Sequence, residues 1–289
     1  MSKQLRSDLV LVLVTIIWGS TFIIVKNAIE ILPVYNFLFI RFSIAFFLLA
    51  IIFYKKLLKI DKRTLIISSA IGTMLFAGYA FQTMGLMYTS ASKSGFITGF
   101  SVVLVPIFEA LFLKSKPSRA AVTGIVLAVI GLFLLTTNVN FSINFGDFLT
   151  LLCAFAFAMH IILIAKFASS VDTFVIATLQ IGVVAILSGI ASFTFETPVI
   201  PTNLSVWGAI IITGVFATAF AYVAQNTMQA YTTATHTALI FSLEPVFSAV
   251  AAFLIAGEVM SLKAITGGIF MLLGIILAEI PQGKISPSK

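Results

Sequence analysis

The sequence predicts an all-α integral membrane protein, ten transmembrane helices built as two five-helix repeats of inverted topology, with both termini cytoplasmic. Three observations carry this expectation. The 289-residue chain is 60% hydrophobic and only 9% charged, too little charge to cover a water-soluble surface of this size. Apolar runs of about 20 residues recur along it, each long enough to cross a hydrocarbon core of about 30 Å. Residues 76–136 also match residues 219–279 at 14 of 61 positions under a shift of 143. The ten-residue alternation that marks a membrane β-barrel is absent from the pattern.

Apolar runs between polar or Pro/Gly-marked breaks place the spans at 9–28, 34–54, 64–88, 92–113, 119–137, 147–167, 173–195, 205–229, 233–256 and 261–280. The first lacks a small-residue cleavage site and is expected to be a retained helix, not a signal peptide. The break after the second span carries Lys55, Lys56, Lys59, Lys62 and Arg63, and the break after the fourth carries Lys114, Lys116 and Arg119. With Lys3, Arg6, Lys166, Lys284 and Lys289 these make 13 of the 17 basic residues, all on one side if the spans alternate. Lys26, Lys93 and Lys263 fall on the other side, and Arg41 lies inside the second span. The positive-inside rule then sets both termini in the cytoplasm of a cell with this chain in its cytoplasmic membrane. The same bias accounts for the net charge of +7, so nucleic acid is not expected as a partner.

The matched pairs include Tyr79/Tyr222, Gln82/Gln225, Tyr88/Tyr231, Thr89/Thr232, Ser118/Ser261, Gly124/Gly267 and Gly131/Gly274, and a shift of 139 pairs Asp8 with Asp147 and Arg41 with Gln180. Five helices per repeat is an odd number, so the second repeat enters the membrane upside-down. Many secondary transporters are built this way, with the substrate site near the midplane between the repeats.

"TIIWGSTFIIVK" in the first span, "FLFIRFSIAFFLLA" in the second, "GDFLTLLCAFAFAMHIILIAK" in the sixth and "LIFSLEPVFSAVAAFLIAGE" in the ninth resemble EamA-type members of the drug/metabolite transporter superfamily. The resemblance covers two repeats, 8–137 and 146–280. It implies a ten-helix carrier of small metabolites, often an exporter of amino acids or related compounds, with a cavity lined chiefly by helices one to four and six to nine. Helices five and ten are expected at the periphery. Pro106 and Pro245 stand four positions out of repeat register, so the cavity is not expected to be symmetric near them.

Polar residues inside apolar spans nominate the site, because a charge at the bilayer centre costs about 2.5 kcal/mol or more and must face the protein interior or a water-filled cavity. Glu244, near the middle of the ninth span and followed by the helix-breaking Pro245, fits an ammonium ligand or a proton carrier, or else a structural carboxyl that locks helices together. Arg41 suits a substrate carboxylate, or snorkels. His160 fits proton coupling or a neutral interhelical hydrogen bond, and Trp18 fits a cap on an apolar substrate group or simple packing. Gln180, as the repeat partner of Arg41, joins the cavity candidates, as does Asn226. Tyr222, Gln225, Asn226 and Gln229 form one stripe on the eighth span, and Tyr79 and Gln82 repeat its start on the third. From their depths Tyr79/Gln82 and Tyr222/Gln225 are expected to act as related gates, one at each end of the cavity.

Glu109 is expected to snorkel and pair with Lys114, His236 to be solvated, and Glu258 to cap a helix. The glycines of the fifth and tenth spans are expected to pack those helices closely, within one chain or between two protomers.

No Gly-Lys-Ser/Thr phosphate loop, no membrane-protease motif and no metal-ligand cluster is read, and the single Cys153 excludes a disulfide framework. An enzyme is therefore not expected, nor a cofactor. The reading is a secondary carrier exporting a small solute by alternating access, an amino-acid-like zwitterion if Glu244 and Arg41 both face the cavity, with proton coupling and a homodimer as candidate properties. A drug or lipid-linked-intermediate carrier of the same fold, or a membrane sensor without flux, stands beside it.

Overall fold

The computed structural model describes residues 3–89, 91–136, 144–256 and 262–278, and every regular element among them is helical. In chain order these are α1 (Lys3–Ile29), α2 (Val34–Ile52), α3 (Tyr54–Leu57), α4 (Lys62–Leu86), α5 (Ala91–Gly99), α6 (Ser101–Phe108), a π-helical segment Glu109–Leu113 and α7 (Arg119–Thr136). There follow α8 (Phe145–Phe167), α9 (Thr173–Phe195), α10 (Leu204–Gly214), a second π-helical segment Val215–Phe220, α11 (Ala221–Gln229), α12 (Ala234–Phe241), α13 (Glu244–Ala256) and α14 (Leu262–Ala278). Eight helical stretches are long and apolar enough to cross a membrane, while α7 and α14 are apolar but contain shorter stretches of that kind. The chain is a multi-pass helical membrane protein.

Three of the expected spans are not single regular helices, and two of the breaks follow from proline. Pro106 lies inside α6 and can give no backbone donor to the turn before it, and the π-helical segment Glu109–Leu113 follows directly. In the ninth span α12 stops at Phe241 and α13 restarts at Glu244, where Pro245 leaves the Phe241 carbonyl without its partner four residues on. The third break, Val215–Phe220, contains no proline.

The helix ends are capped across the bundle as well as locally. Asp147 and Asn144 close a capping box at the start of α8. Pro33, at the N-cap of α2, offers no side-chain cap, and Glu196 at the end of α9 accepts the Tyr35 and Asn36 amides at 3.0 and 2.9 Å instead. Asp172 caps α9 through the Phe174 amide and pairs with Lys56 at 2.8 Å, whose ammonium also lies 4.2 Å from the centre of the Phe174 ring. Partial burial works against the Asp172 carboxylate, but the hydrogen bonds from Lys56 and the Phe174 amide outweigh it and hold its pKa below the ordinary carboxylate value.

Two expectations are corrected here. Glu109 is 6% exposed and does not reach for Lys114: its carboxylate accepts the Thr235 amide at 2.9 Å and the Thr235 hydroxyl, at the N-terminus of α12. A helix N-terminus satisfies a carboxylate as well as a lysine does, and it is already buried. His236 is 7% exposed, with Nε2 3.5 Å from Asp8 Oδ1 on α1, and is not solvated. Glu258 lies outside the described residues.

α4 lies against α8 and α9, α2 against α9, and α1 against α13, while α7 packs against α14. Glycines allow the last contact. A Cβ at Gly124 would meet the Gly274 carbonyl, and one at Gly131 would meet the Gly267 carbonyl and Met271. The glycine contact expected between the fifth and tenth helices is thus formed within one chain.

Gly131→Ala is expected to destabilise the protein by about 1–3 kcal/mol, because backbone cannot move aside, whereas Gly208→Ala, whose added Cβ meets nothing, should leave stability unchanged or slightly higher. Thermal unfolding in detergent compares the two. Asp172→Ala is expected to cost about 1 kcal/mol at neutral pH. Because the folded pKa is the lower one, that deficit is fully present above the unfolded value of about 3.9 and fades as the pH falls through the folded value, which the same measurement repeated in acid reads directly.

Candidate functional site

A cavity of about 70 Å³ lies in the bundle between α1, α2, α4, the α5–α6 junction, α8, α11 and the α12–α13 break. On a measure where one water needs about 10–15 Å³, it has room for roughly five. Its walls combine Trp18, Phe157, Tyr79, Tyr222 and Phe241 with the polar groups of Gln82, Thr98, Ser101, His160 and Gln225, and two charged side chains, Arg41 and Glu244. α7, α9 and α14 contribute no lining residue.

Arg41 is 3% exposed. Its Nε donates to Thr218 Oγ1 at 2.8 Å, and Nη2 donates to Tyr79 Oη at 3.4 Å and to the Ala217 carbonyl at 3.5 Å. Both acceptors on the far side come from the π-helical segment Val215–Phe220. In a regular helix every interior carbonyl is taken by the amide four residues on. The wider π turn shifts that ladder to five residues, as where the Ala221 amide bonds the Phe216 carbonyl, and re-aims the carbonyls along it. The Ala217 carbonyl accordingly also accepts Trp18 Nε1 at 2.9 Å, and Thr218 donates its own hydroxyl to the Thr213 carbonyl five residues back at 2.9 Å. The guanidinium lies 4.9 Å from the Tyr79 ring centre and 5.3 Å from that of Phe42. Among the described residues its Nη1 has no hydrogen-bond partner.

Tyr222 donates to the Tyr79 oxygen at 2.9 Å. Tyr79 and Tyr222 therefore do not stand at opposite ends of the cavity, as expected, but meet inside it. A depth read along each helix separately leaves out the length of the two phenol side chains, which reach into one cavity from α4 and α11. Since the Tyr79 oxygen accepts from both Arg41 and Tyr222, its own proton is left for an acceptor in the cavity. The two glutamines do diverge. Gln82 donates to Thr98 Oγ1 at 3.3 Å, whereas Gln225 donates to Gln229, which in turn donates to the Ile161 carbonyl at 2.7 Å.

Trp18 packs its ring against Tyr222 and Phe241, with centroids 5.4 and 5.0 Å away. His160 reaches the cavity with Nε2 2.8 Å from Gln180 Oε1 and its ring edge-on to Tyr222. Gln180 itself is fully buried behind the cavity wall, as is Asn226, whose amide donates to the Tyr222 carbonyl at 2.7 Å. These two are corrected from cavity to supporting positions: Gln180 bonds His160 across to α8, and Asn226 bonds a carbonyl of its own helix. Glu244 is half-buried at the start of α13, and among the described residues its carboxylate accepts no hydrogen bond and lies in no ion pair. Gly19 lets α1 approach here, since a Cβ on it would meet the Glu244 carbonyl and Phe247.

Sequence reasoning missed Ala217 and Thr218. An alanine carbonyl leaves no trace in a sequence, and hydroxyl residues in membrane helices ordinarily bond the carbonyl one turn back. No group of three or more His, Cys, Asp or Glu is arranged to hold a metal ion among the described residues.

Comparison with known proteins agrees with this architecture. The model of the EamA-like transporter family matches residues 5–137 and 144–279. An uncharacterized transporter of Archaeoglobus fulgidus is 36% identical over 280 residues, covering 96% of this chain and 87% of its own. The uncharacterized transporter YvbV of Bacillus subtilis is 27% identical, with 96% and 93% covered. A crystal structure 18% identical in sequence superposes with a TM-score of 0.79 over 95% of this chain and 96% of its own, and shares the fold. The chain belongs to the EamA-like transporter family and is a membrane transporter.

The Tyr79–Tyr222 contact is testable by a cycle of Tyr79→Phe, Tyr222→Phe and the double variant. Each single change is expected to cost about 1 kcal/mol, and the double variant clearly less than the sum, because either change alone breaks the shared bond. Thermal unfolding of the four proteins measures the coupling.

Proposed function

We propose that this EamA-like transporter is a secondary carrier of small zwitterionic solutes, amino acids or close relatives, working by alternating access. The observation that carries this reading is the pairing of Arg41 and Glu244 on one cavity without an ion pair between them. A fixed guanidinium with a free Nη1 and an unpartnered carboxylate present opposite charges to a single small occupant. Space for roughly five waters corresponds to a solute of about 150 Å³, and it disfavours a lipid-linked intermediate. The aromatic walls would take an apolar side chain.

Alternating access draws support from two contacts between repeat-equivalent positions. Tyr79 and Tyr222 are 143 residues apart, the repeat shift itself, and touch each other. Gly124 meets Gly274 while Gly131 meets Gly267, so equivalent residues exchange partners as they do about a two-fold axis. Both patterns favour two inverted repeats, 8–137 and 146–280, around a shared site. The lysine and arginine bias favours cytoplasmic termini, and Gln82 and Gln225, which diverge from the tyrosine pair, are the side chains best placed to respond as one end closes and the other opens. Glu244, or His160 through Gln180, would be the place for a coupled proton.

Solute counterflow in proteoliposomes tests the reading with labelled amino acids. Wild type is expected to exchange one or more of them, and Glu244→Gln, folded by the criterion of unfolding temperature, to lose at least about 10-fold in exchange, the equivalent of one charge-assisted contact. No exchange of any amino acid by the wild type would remove the zwitterion assignment. Equal exchange by both proteins would remove Glu244 from the site.

A further inference from the structure

We infer that Thr218 is a positioning residue, and that the π turn Val215–Phe220 exists to hold the Arg41 guanidinium with its Nη1 toward the cavity; this rests on the reading of Arg41 as the ligand of a substrate carboxylate. Four features converge on that turn. It is a break without proline, so no covalent constraint demands it. π turns are rare and occur frequently at functional sites. Two of its acceptors, the Ala217 carbonyl and the Thr218 hydroxyl, accept three long-range side-chain hydrogen bonds from α1 and α2. Finally, Thr218 Oγ1 is saturated in a directed way: its proton goes to the Thr213 carbonyl and its lone pair faces Arg41 Nε, so the hydroxyl acts toward Arg41 only as an acceptor.

The consequence is geometric. Nε held at 2.8 Å by Thr218 and Nη2 held by Tyr79 and Ala217 fix the plane of the guanidinium on two of its three nitrogens. The third is then presented to an anionic group without further loss of side-chain freedom. Thr218 touches no cavity surface itself. Its effect on a ligand passes through Arg41, and so it should discriminate ligands by whether they carry a carboxylate. A valine at 218 keeps the branched shape and removes the acceptor, while a serine keeps the acceptor.

The test uses the full chain in a Trp207→Phe background, which leaves Trp18, on the cavity wall, as the sole tryptophan of the two in the sequence. Trp18 emission is titrated with several amino acids, each beside the amine that lacks its carboxylate and the acid that lacks its amine. Thr218→Val is expected to weaken amino acids and acids about 10-fold and to leave the amines within about twofold, with Thr218→Ser restoring wild-type affinity. Equal weakening of all three classes, no weakening, or failure of serine to rescue would overturn the positioning role. A thermal-unfolding cycle of Thr218→Val with Arg41→Met runs without ligand. Thr218→Val is expected to lower the unfolding temperature by about 3 °C alone and by clearly less when Arg41 is already methionine, since only the bond to the Thr213 carbonyl is then lost; additive losses would overturn the Thr218–Arg41 link. If wild type binds nothing in the panel, the zwitterion reading falls with the ligand-discriminating role, and the cycle alone then decides whether the π turn holds Arg41.

Discussion

An arginine can be buried in this bundle because helix α10–α11 gives up its regular hydrogen bonding for one turn. In hydrocarbon there is no water to accept the protons of a guanidinium, and a regular helix has already spent its carbonyls on its own amides. The π turn at Val215–Phe220 presents the Ala217 carbonyl and the Thr218 hydroxyl to α2, and Arg41 takes both. The rest of the cavity hangs from that arrangement. Trp18 shares the Ala217 carbonyl, Tyr79 stacks on the guanidinium and accepts from it, and Tyr222 closes the chain by donating to Tyr79. Remove the turn and a charge, an indole and two phenols lose their common anchor.

The distribution of regular and broken helix divides the molecule by role. α7 and α14, without described breaks, lock together through glycines that bring backbone onto backbone, a contact that tolerates little sliding. The breaks at Phe100, Val215–Phe220 and Ser242–Leu243 all border the cavity. Irregular backbone at membrane depth is tolerated only where protein or a water-filled cavity covers it, so the breaks and the cavity are two expressions of one constraint. Pro245 writes one of these breaks into the sequence, whereas Pro106 precedes the π-helical segment Glu109–Leu113 and leaves the Phe100 break unmarked, and the break at Val215–Phe220 is met by the hydrogen bonds of Arg41 and Trp18.

Much of the fold was legible because the bilayer makes it so. Apolar length announces a span, and the expected 34–54, 64–88, 119–137 and 173–195 coincide with α2–α3, α4, α7 and α9 within a few residues. Polarity inside a span announces an inward face, which is why Arg41, Glu244, Trp18, His160, Tyr79 and Tyr222 all reach the cavity. What a sequence does not carry is which helix lies opposite. The helical stripe Tyr222, Gln225, Asn226 and Gln229 was read correctly as inward-facing, yet only Tyr222 and Gln225 line the cavity while Asn226 bonds its own helix and Gln229 bonds α8. Glu109 and His236 were misread for the same reason. Their partners, Thr235 and Asp8, are 126 and 228 residues away in the chain, and nearer candidates or solvent looked sufficient.

Those two misread residues bear on how the ends of the bundle differ. At the end where α1 begins, Glu109 clasps the N-terminus of α12, His236 faces Asp8, and Gln229 ties α11 to α8. The cavity lining instead runs to Phe22, Val25, Thr83 and Leu86, in the last turns of α1 and α4, at the opposite end. In an inverted-repeat reading the second state would close that opposite end with the equivalent residues, and the sequence shows that they are not chemically equivalent. The position repeating Glu109 is Ala252, and the position repeating His236 is Lys93, although Asp8 has its counterpart in Asp147. One end therefore has a buried carboxylate on a helix N-terminus and an imidazole beside a carboxylate. The other has Asp147 accepting from Thr89 at 2.9 Å within its own capping box. The two ends of the bundle are thus held by different bonds, and a change that breaks one set leaves the other untouched.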